Sequence, residues 1–340
     1  MIGFIELIVG VLAILAMSTV FCNALEHFGE KCGFSEGTTG SLFVAVGTAL
    51  PETIVPIIAL LGGGASVHAD EVGIGAILGA PFMLSTLSVG LMAFSVLKKR
   101  GFNGRITPEK TGFKRDLVFF MVGYGAAIAL AILHNFIVLP LLNYFVMISL
   151  LLGYLFYVVL TIKASSGLVN DGHGTEASGD LLLTKYTKLP TNMLTIVIQS
   201  ILGLMGLVYF AHVFIDGINS TATMLGISSF LLSVVLIPVA TELPEKVNSI
   251  MWIKKSKDTL AIANISGAMV FQGVLLPTMG IALTDWKLSL GQSISCITTF
   301  AAVLWLYIIF KKHHYLKVKH FIFNGALYVV SIAISYWILR

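Results

Sequence analysis

Charge is scarce in this chain. Only 11% of its 340 residues are Asp, Glu, Lys or Arg, against 57% hydrophobic residues, and mean hydropathy is +0.94. So few charges cannot cover a water-soluble globule of this size, and the composition predicts an integral membrane protein. Cysteine is nearly absent as well. Cys22, Cys32 and Cys296 are odd in number and lie in or beside apolar runs, so no disulfide framework is implied. No Gly-Lys-Ser/Thr follows Gly62-Gly63-Gly64, which excludes a phosphate loop and leaves a flexible end to a moving span. No catalytic motif for protein or lipid substrates appears, and aspartate is read as absent from the spans, which argues against an intramembrane enzyme.

What is there is long apolar runs. They read as ten spans, near residues 2–22, 38–62, 73–97, 116–134, 136–162, 191–214, 222–250, 259–282, 288–310 and 318–339. Only His134 and Asn135 part the fourth from the fifth. Lys and Arg fall in alternate loops: Lys31, seven between Lys98 and Arg115, Lys163, Lys185 and Lys188, Lys254, Lys255 and Lys257, then Lys311, Lys312, Lys317 and Lys319. The opposite loops hold Lys287, with Arg340 at the end of the chain. By the positive-inside rule both termini lie outside the cytoplasm, and the net charge of +4 is a topology signal rather than a nucleic-acid surface. The first span lacks a clear cleavage site and is read as retained. A prokaryotic plasma membrane is the expected location.

Residues 164–190 form the one long polar stretch and divide the spans five and five. The chain therefore reads as a first half (1–163), a cytoplasmic linker (164–190) and a second half (191–340). An odd number of spans per half turns the second upside down, the arrangement of an inverted repeat with a site at its interface.

The repeat is visible in the residues. Gly47-Thr48-Ala49-Leu50-Pro51-Glu52 returns 193 positions later as Ala240-Thr241-Glu242-Leu243-Pro244-Glu245. Each copy sets a carboxylate four residues after a threonine, on one helical face. A carboxylate at the bilayer centre costs roughly 2.5 to 3.5 kcal/mol on insertion scales, so Glu52, Glu242 and Glu245 demand a compensating positive charge. Pro51 cannot donate to the carbonyl of Gly47, nor Pro244 to that of Ala240, which frees two oxygens suited to a hard cation. The repeats span about 40–87 and 228–275. In the span after each, Gly75-Ala76-Ile77-Leu78-Gly79-Ala80-Pro81 parallels Ala263-Asn264-Ile265-Ser266-Gly267-Ala268-Met269, 188 positions on.

At these residues the sequence resembles the calcium/cation antiporter superfamily, sodium/calcium exchanger-like membrane proteins with two inverted alpha-repeats. Their repeats carry a Gly-Thr-Ser-x-Pro-Glu core and a following Gly-Asn-x-x-Gly-Ser-Asn-x-x-Asn or Asp segment. The resemblance implies an all-α polytopic fold of about ten transmembrane helices in two inverted five-helix repeats. It also implies exchange of a divalent metal by alternating access, no cofactor, and a site in which Glu52 and Glu245 bind the metal with Thr48, Thr241 and nearby carbonyls. The lipid bilayer and the transported cations are its partners; a homo-oligomer is left open.

The sequence also departs from that pattern. The family serine after the threonine is Ala49 in one repeat and Glu242 in the other, and later serines are Ala80 and Ala268. The deep polar residue is Leu84 in the first half and Gln272 in the second; the first asparagine is Ala76 but kept as Asn264. In the family many of these positions line flanking sodium sites. Fewer hydroxyl and amide ligands favour a smaller or partly hydrated ion, so Mg2+ or Mn2+ stands beside Ca2+, with Na+ or H+ as counter-ion. Glu242 either carries a proton or pairs with Lys246 at i+4. A channel would use the same acids as a selectivity ring, but channels repeat subunits around a pore.

Remaining polar residues have plainer readings. His212 and Asp216 lack a third ligand and read as interfacial. His68, Asp70 and Glu71 are solvated or draw cations to the mouth, Lys311-Lys312-His313-His314 anchors the cytoplasmic face, and Glu6 and Asn143 make bundle contacts.

Overall fold

The computed structural model describes residues 2–49, 53, 69–137, 139–177, 179–225 and 242–338. Eleven helices are described. They are α1 (Ile2–Lys31), α2 (36–48), α3 (69–100), α4 (Lys110–His134), α5 (Pro140–Asn170), the short α6 (Leu182–Thr187), α7 (Met193–Leu225), α8 (Leu243–Lys254), α9 (258–283), α10 (Leu290–His313) and α11 (Val318–Ile338). Eight are long and apolar enough to cross a membrane; α2 and α8 run up to segments outside the described residues.

The fourth and fifth predicted spans are separate helices. Asn135 caps α4, and Pro140 opens α5 in the first turn, where a missing N–H costs nothing. Two boundaries differ from the sequence reading. Helix α5 continues through Asn170, seven residues into the predicted linker, and α7 runs unbroken through Asp216-Gly217 to Leu225, where a loop was expected. Aspartate is not excluded from the membrane helices either: Asp116 lies in α4, 1% exposed.

Helix association in lipid relies on close packing and hydrogen bonds, because lipid tails are as apolar as leucine. The longest contact joins α1 to α7, the first helix of each half, packed antiparallel. A Cβ on Gly203 would fall 2.9 Å from Phe21 Cα, and one on Gly217 would fall 2.7 Å from the Leu7 nitrogen, so the two backbones nearly touch. Helix α9 is the centre of the bundle, with every side chain from Asp258 to Val270 buried. The outer helix α5 turns apolar side chains such as Leu141, 86% exposed, outwards.

The lysine-rich ends of the helices gather on one face. There a two-stranded antiparallel ribbon, β1 (Arg105–Ile106) with β2 (Leu316–Lys317), pairs Arg105 with Lys317. Arg100 grips Asp258 with two hydrogen bonds of 2.7 and 2.6 Å, tying α3 to the start of α9. Glu36, at the first turn of α2, is pushed up to about 7, mainly by burial and further by Glu26, Glu176 and Asp258, against the pull of Lys257. The folded state thus holds this proton more tightly than the unfolded chain. Glu36 therefore opposes folding increasingly as pH rises from about 4.5 to about 7, with no further change above. Glu36→Gln is expected to flatten that part of the stability profile, raising the thermal midpoint of detergent-solubilised protein at neutral pH by a few degrees and leaving it unchanged near pH 4. An unaltered profile would show that Glu36 keeps its ordinary acidity.

Candidate cation-binding site

Both signature segments turn at the equivalent residue: α2 ends on Ala49 (φ −82°, ψ −1°) and α8 begins after Glu242 (φ −86°, ψ −1°). Both have ψ near zero, and 193 positions separate them. Their carbonyls are used alike: Thr53 N–H donates to Ala49 O at 3.1 Å and Lys246 N–H to Glu242 O at 3.3 Å. In the second repeat Pro244 sits in the first turn of α8. Helix α2 enters from the lysine-rich face and α8 leaves toward it, so the two run in opposite directions.

They meet where Thr48 of the first repeat lies beside the Glu245 carboxyl of the second. Thr48 is fully buried, and its hydroxyl donates to Val44 O at 2.9 Å. Glu245 is fully buried too, and among the described residues its carboxylate oxygens have no hydrogen-bond partner beyond the Thr48 side chain that faces them. Gly47 leaves room for the Phe21 ring of α1: a Cβ there would fall 2.2 Å from the ring. Asn264, on α9, donates to the Glu245 backbone carbonyl at 3.2 Å and to Ser249 Oγ at 3.1 Å, while its own Oδ1 is buried without a partner among the described residues. Gln272 is fully buried two turns further along the same helix. Glu242 is buried against Lys246, Nζ to Oε2 3.1 Å.

The structure thus brings Gly47, Thr48, Glu245, Glu242 and Asn264 into one neighbourhood. Glu52, Thr241 and Ala240 lie outside the described residues, as do Gly62-Gly63-Gly64, His68 and the side chains of Asp70, Glu71 and Ala76. Leu84 is a fully buried apolar side chain. Among the described residues no group of three or more His, Cys, Asp or Glu comes together. His212 and Asp216 are exposed, the imidazole bonded to Val208 O at 2.8 Å. Asn143 Oδ1 sits 2.7 Å from His134 Nε2, far from the acids, and Glu6 packs against Gly217.

Several elements had no sequence signal. Helices α3 and α9 each carry a π-helical turn, Leu84–Ser88 and Phe271–Leu275, at nearly equivalent positions of the two repeats, and α2 carries a third, Thr39–Val44. Such turns shift the hydrogen-bond ladder and often mark working sites. Asn248, one turn after Glu245, donates to Ser18 Oγ at 3.0 Å and Cys22 Sγ at 2.8 Å, fastening α8 to α1. Asn248 and Cys22 also line a cavity of about 230 Å³, together with Glu26, Asp180, Lys185 and Lys255. Trp252 Nε1 and Lys257 Nζ hold Glu26, at 2.9 and 3.1 Å. Asp116 accepts from Tyr157 at 3.0 Å and from Ser266 at 2.6 Å, linking α4, α5 and α9.

A fully buried carboxyl with no partner but Thr48 among the described residues, set at the start of one helix and beside the end of an oppositely directed one in a membrane bundle, is the kind of place where a transporter holds a cation. Comparison with known proteins gives the family: the profile of the sodium/calcium exchanger protein family matches residues 2–163 and 195–337, and the chain belongs to that family. Among relatives, the chain is 22% identical over 263 residues to the membrane protein MJ0091 of Methanocaldococcus jannaschii, covering 77% of this chain and 76% of that one. It is 23% identical over 286 residues to the inner membrane protein YrbG of Escherichia coli, covering 83% and 80%. Solved structures of the sodium-calcium exchanger NCX_Mj share the fold at TM-score 0.72 in a sodium soak and 0.73 in a sodium and calcium soak, with 21% identity and 98% of both chains covered. The protein is accordingly an all-α exchanger-type membrane protein of two inverted five-helix repeats.

Proposed function

We propose that this chain is a secondary antiporter that exchanges a divalent metal, Ca2+ or Mg2+, for Na+ or H+ by alternating access, at a site shared by the two repeats. The observation that carries this is the Glu245 carboxylate, buried beside Thr48 and without a further hydrogen-bond partner among the described residues. Leaving it empty costs what any bare buried charge costs, and a hard cation supplies the missing partner. Glu52 is its counterpart in the first repeat, with Thr48, Thr241, Asn264, Gln272 and the carbonyls of Gly47 and Ala240 as further oxygen donors and Glu242 alongside. The halves are residues 1–163 and 191–340, and the positive loops put both termini on the non-cytoplasmic side. The cavity lined by Asn248 and Cys22 is then the cytoplasmic approach. Sliding of the glycine-faced α1–α7 pair against the rest would expose the site to each side in turn.

A second reading, a Mg2+ or Mn2+ exporter, draws support from the buried apolar Leu84 and from Ala80, which leave the first repeat short of oxygen ligands for the six to eight that calcium takes. Metal uptake into sealed proteoliposomes decides between them, with Ca2+, Mg2+ and Mn2+ tested separately against imposed sodium and proton gradients. Calcium uptake driven by sodium supports the first reading and magnesium or manganese uptake the second. Uptake that neither saturates nor needs a counter-ion would overturn both in favour of a channel.

A further inference from the structure

The charged pair in the second repeat has no equivalent in the first. Glu242 and Lys246 correspond, 193 positions earlier, to Ala49 and Thr53. Acid and base are present together in one repeat and absent together from the other. Both are buried, side chains 1% and 5% exposed, with Nζ 3.1 Å from Oε2. Such a pair is a poor way to gain stability, because taking two charges out of water offsets most of their attraction.

Their position relative to Glu245 is what gives the pair a use. Glu242 lies three residues before Glu245 and Lys246 directly after it, at the start of α8, so a negative and a positive charge both sit within one helical turn of that carboxylate. While the ammonium stays, Glu242 presents no net charge to an ion bound at Glu245. Without it, the second repeat would hold two unneutralised carboxylates three residues apart in a low-dielectric setting.

We propose that the Lys246 ammonium is a tethered counter-cation for Glu242: it occupies the place of a mobile monovalent ion and lowers by one the number of cations the site must bind. The site then loads a divalent metal against the two repeat glutamates alone, and Glu242 neither binds the metal nor moves with it. The covalent tether supplies the charge at no translational cost. This inference rests on the exchange reading above and concerns only its ion count.

The test uses full-length protein in sealed proteoliposomes, with wild type, Lys246→Met, Glu242→Gln and the double variant assayed for Ca2+ and Mg2+ uptake over a range of Na+ and K+. Lys246→Met exposes Glu242 and is expected to make uptake and thermal stability depend on an added monovalent cation, raising the sodium Hill slope by about one. Glu242→Gln leaves a bare ammonium next to Glu245 and is expected to weaken apparent metal affinity at least tenfold. The double variant is expected to return to the wild-type sodium slope at whatever maximal rate it retains. Two results overturn the proposal: a Lys246→Met protein with wild-type sodium slope and stability, or one that fails to fold whichever cation is supplied. Either would leave the pair as a structural bridge. Wild-type protein that moves no divalent metal would instead overturn the exchange reading itself.

Discussion

Glu245→Gln is expected to lower divalent-metal exchange by more than a hundredfold while the protein folds normally. Glutamine keeps the shape of the side chain and removes only the charge. Among the described residues that charge has no hydrogen-bond partner beyond Thr48, so its loss takes away mainly a desolvation cost. Thermal stability in metal-free buffer should therefore hold or rise. In the loaded protein the same change deletes half of the carboxylate charge proposed to hold the metal, and two tenfold steps correspond to about 2.8 kcal/mol, modest for an ion pair inside a membrane bundle. The repeat predicts the same of Glu52→Gln. Metal-dependent stabilisation should vanish with transport, since a ligand protects the folded state only in proportion to its affinity. Uptake above a tenth of the wild-type rate in Glu245→Gln would show that the metal is held elsewhere.

The parts of this site that were legible in the sequence share one property, that they break a local rule. Acids and prolines inside apolar runs violate the composition of a membrane helix, so Glu52, Glu242, Glu245 and the two prolines stand out without any knowledge of packing. Alternation of Lys and Arg between loops orders the helices in the same way. The place of the turn was less legible: the proline marks its neighbourhood, but the backbone turns at Ala49 and Glu242, and Pro244 is accommodated in the first turn of α8, where its missing N–H costs least. The contacts that were not legible join residues far apart in the chain. Asn248 meets Ser18 across 230 positions and Trp252 meets Glu26 across 226. Asp116, at the start of the fourth predicted span, is overlooked when aspartate is read as absent from the spans; its partners Ser266 and Tyr157 come from other helices. The π-helical turns have no composition of their own, since they are a response of the backbone to neighbours that the sequence does not place.

Gly267 carries the second large expectation. Helix α9 crosses the π-helical turn of α2 here, and a Cβ on Gly267 would fall 2.3 Å from both the Cα and the carbonyl oxygen of Ser41. The obstacle is backbone on both sides, so no rotamer change relieves it, and one of the two helices must move. Gly40 faces the same crossing, with Ala263 Cβ at 3.0 Å from its added carbon and the Leu260 carbonyl at 3.1 Å. Gly267→Ala is expected to cost at least about 3 kcal/mol, the upper end for overpacking, although alanine is the better helix former by about 1 kcal/mol. The comparison that separates these effects is Gly153→Ala on the outer helix α5, where nothing described lies within 4 Å and only the helix preference acts. Gly153→Ala should hold or slightly raise the thermal midpoint, while Gly267→Ala lowers it by several degrees and reduces metal uptake further than the stability loss explains. The reason for the second effect is positional. Pushing α2 from α9 also moves Thr48, seven residues after Ser41 on one partner, away from Asn264, three residues before Gly267 on the other. A Gly267→Ala protein with wild-type stability and uptake would mean that the crossing is looser than the distances require, and that Thr48 and Asn264 do not owe their placement to it.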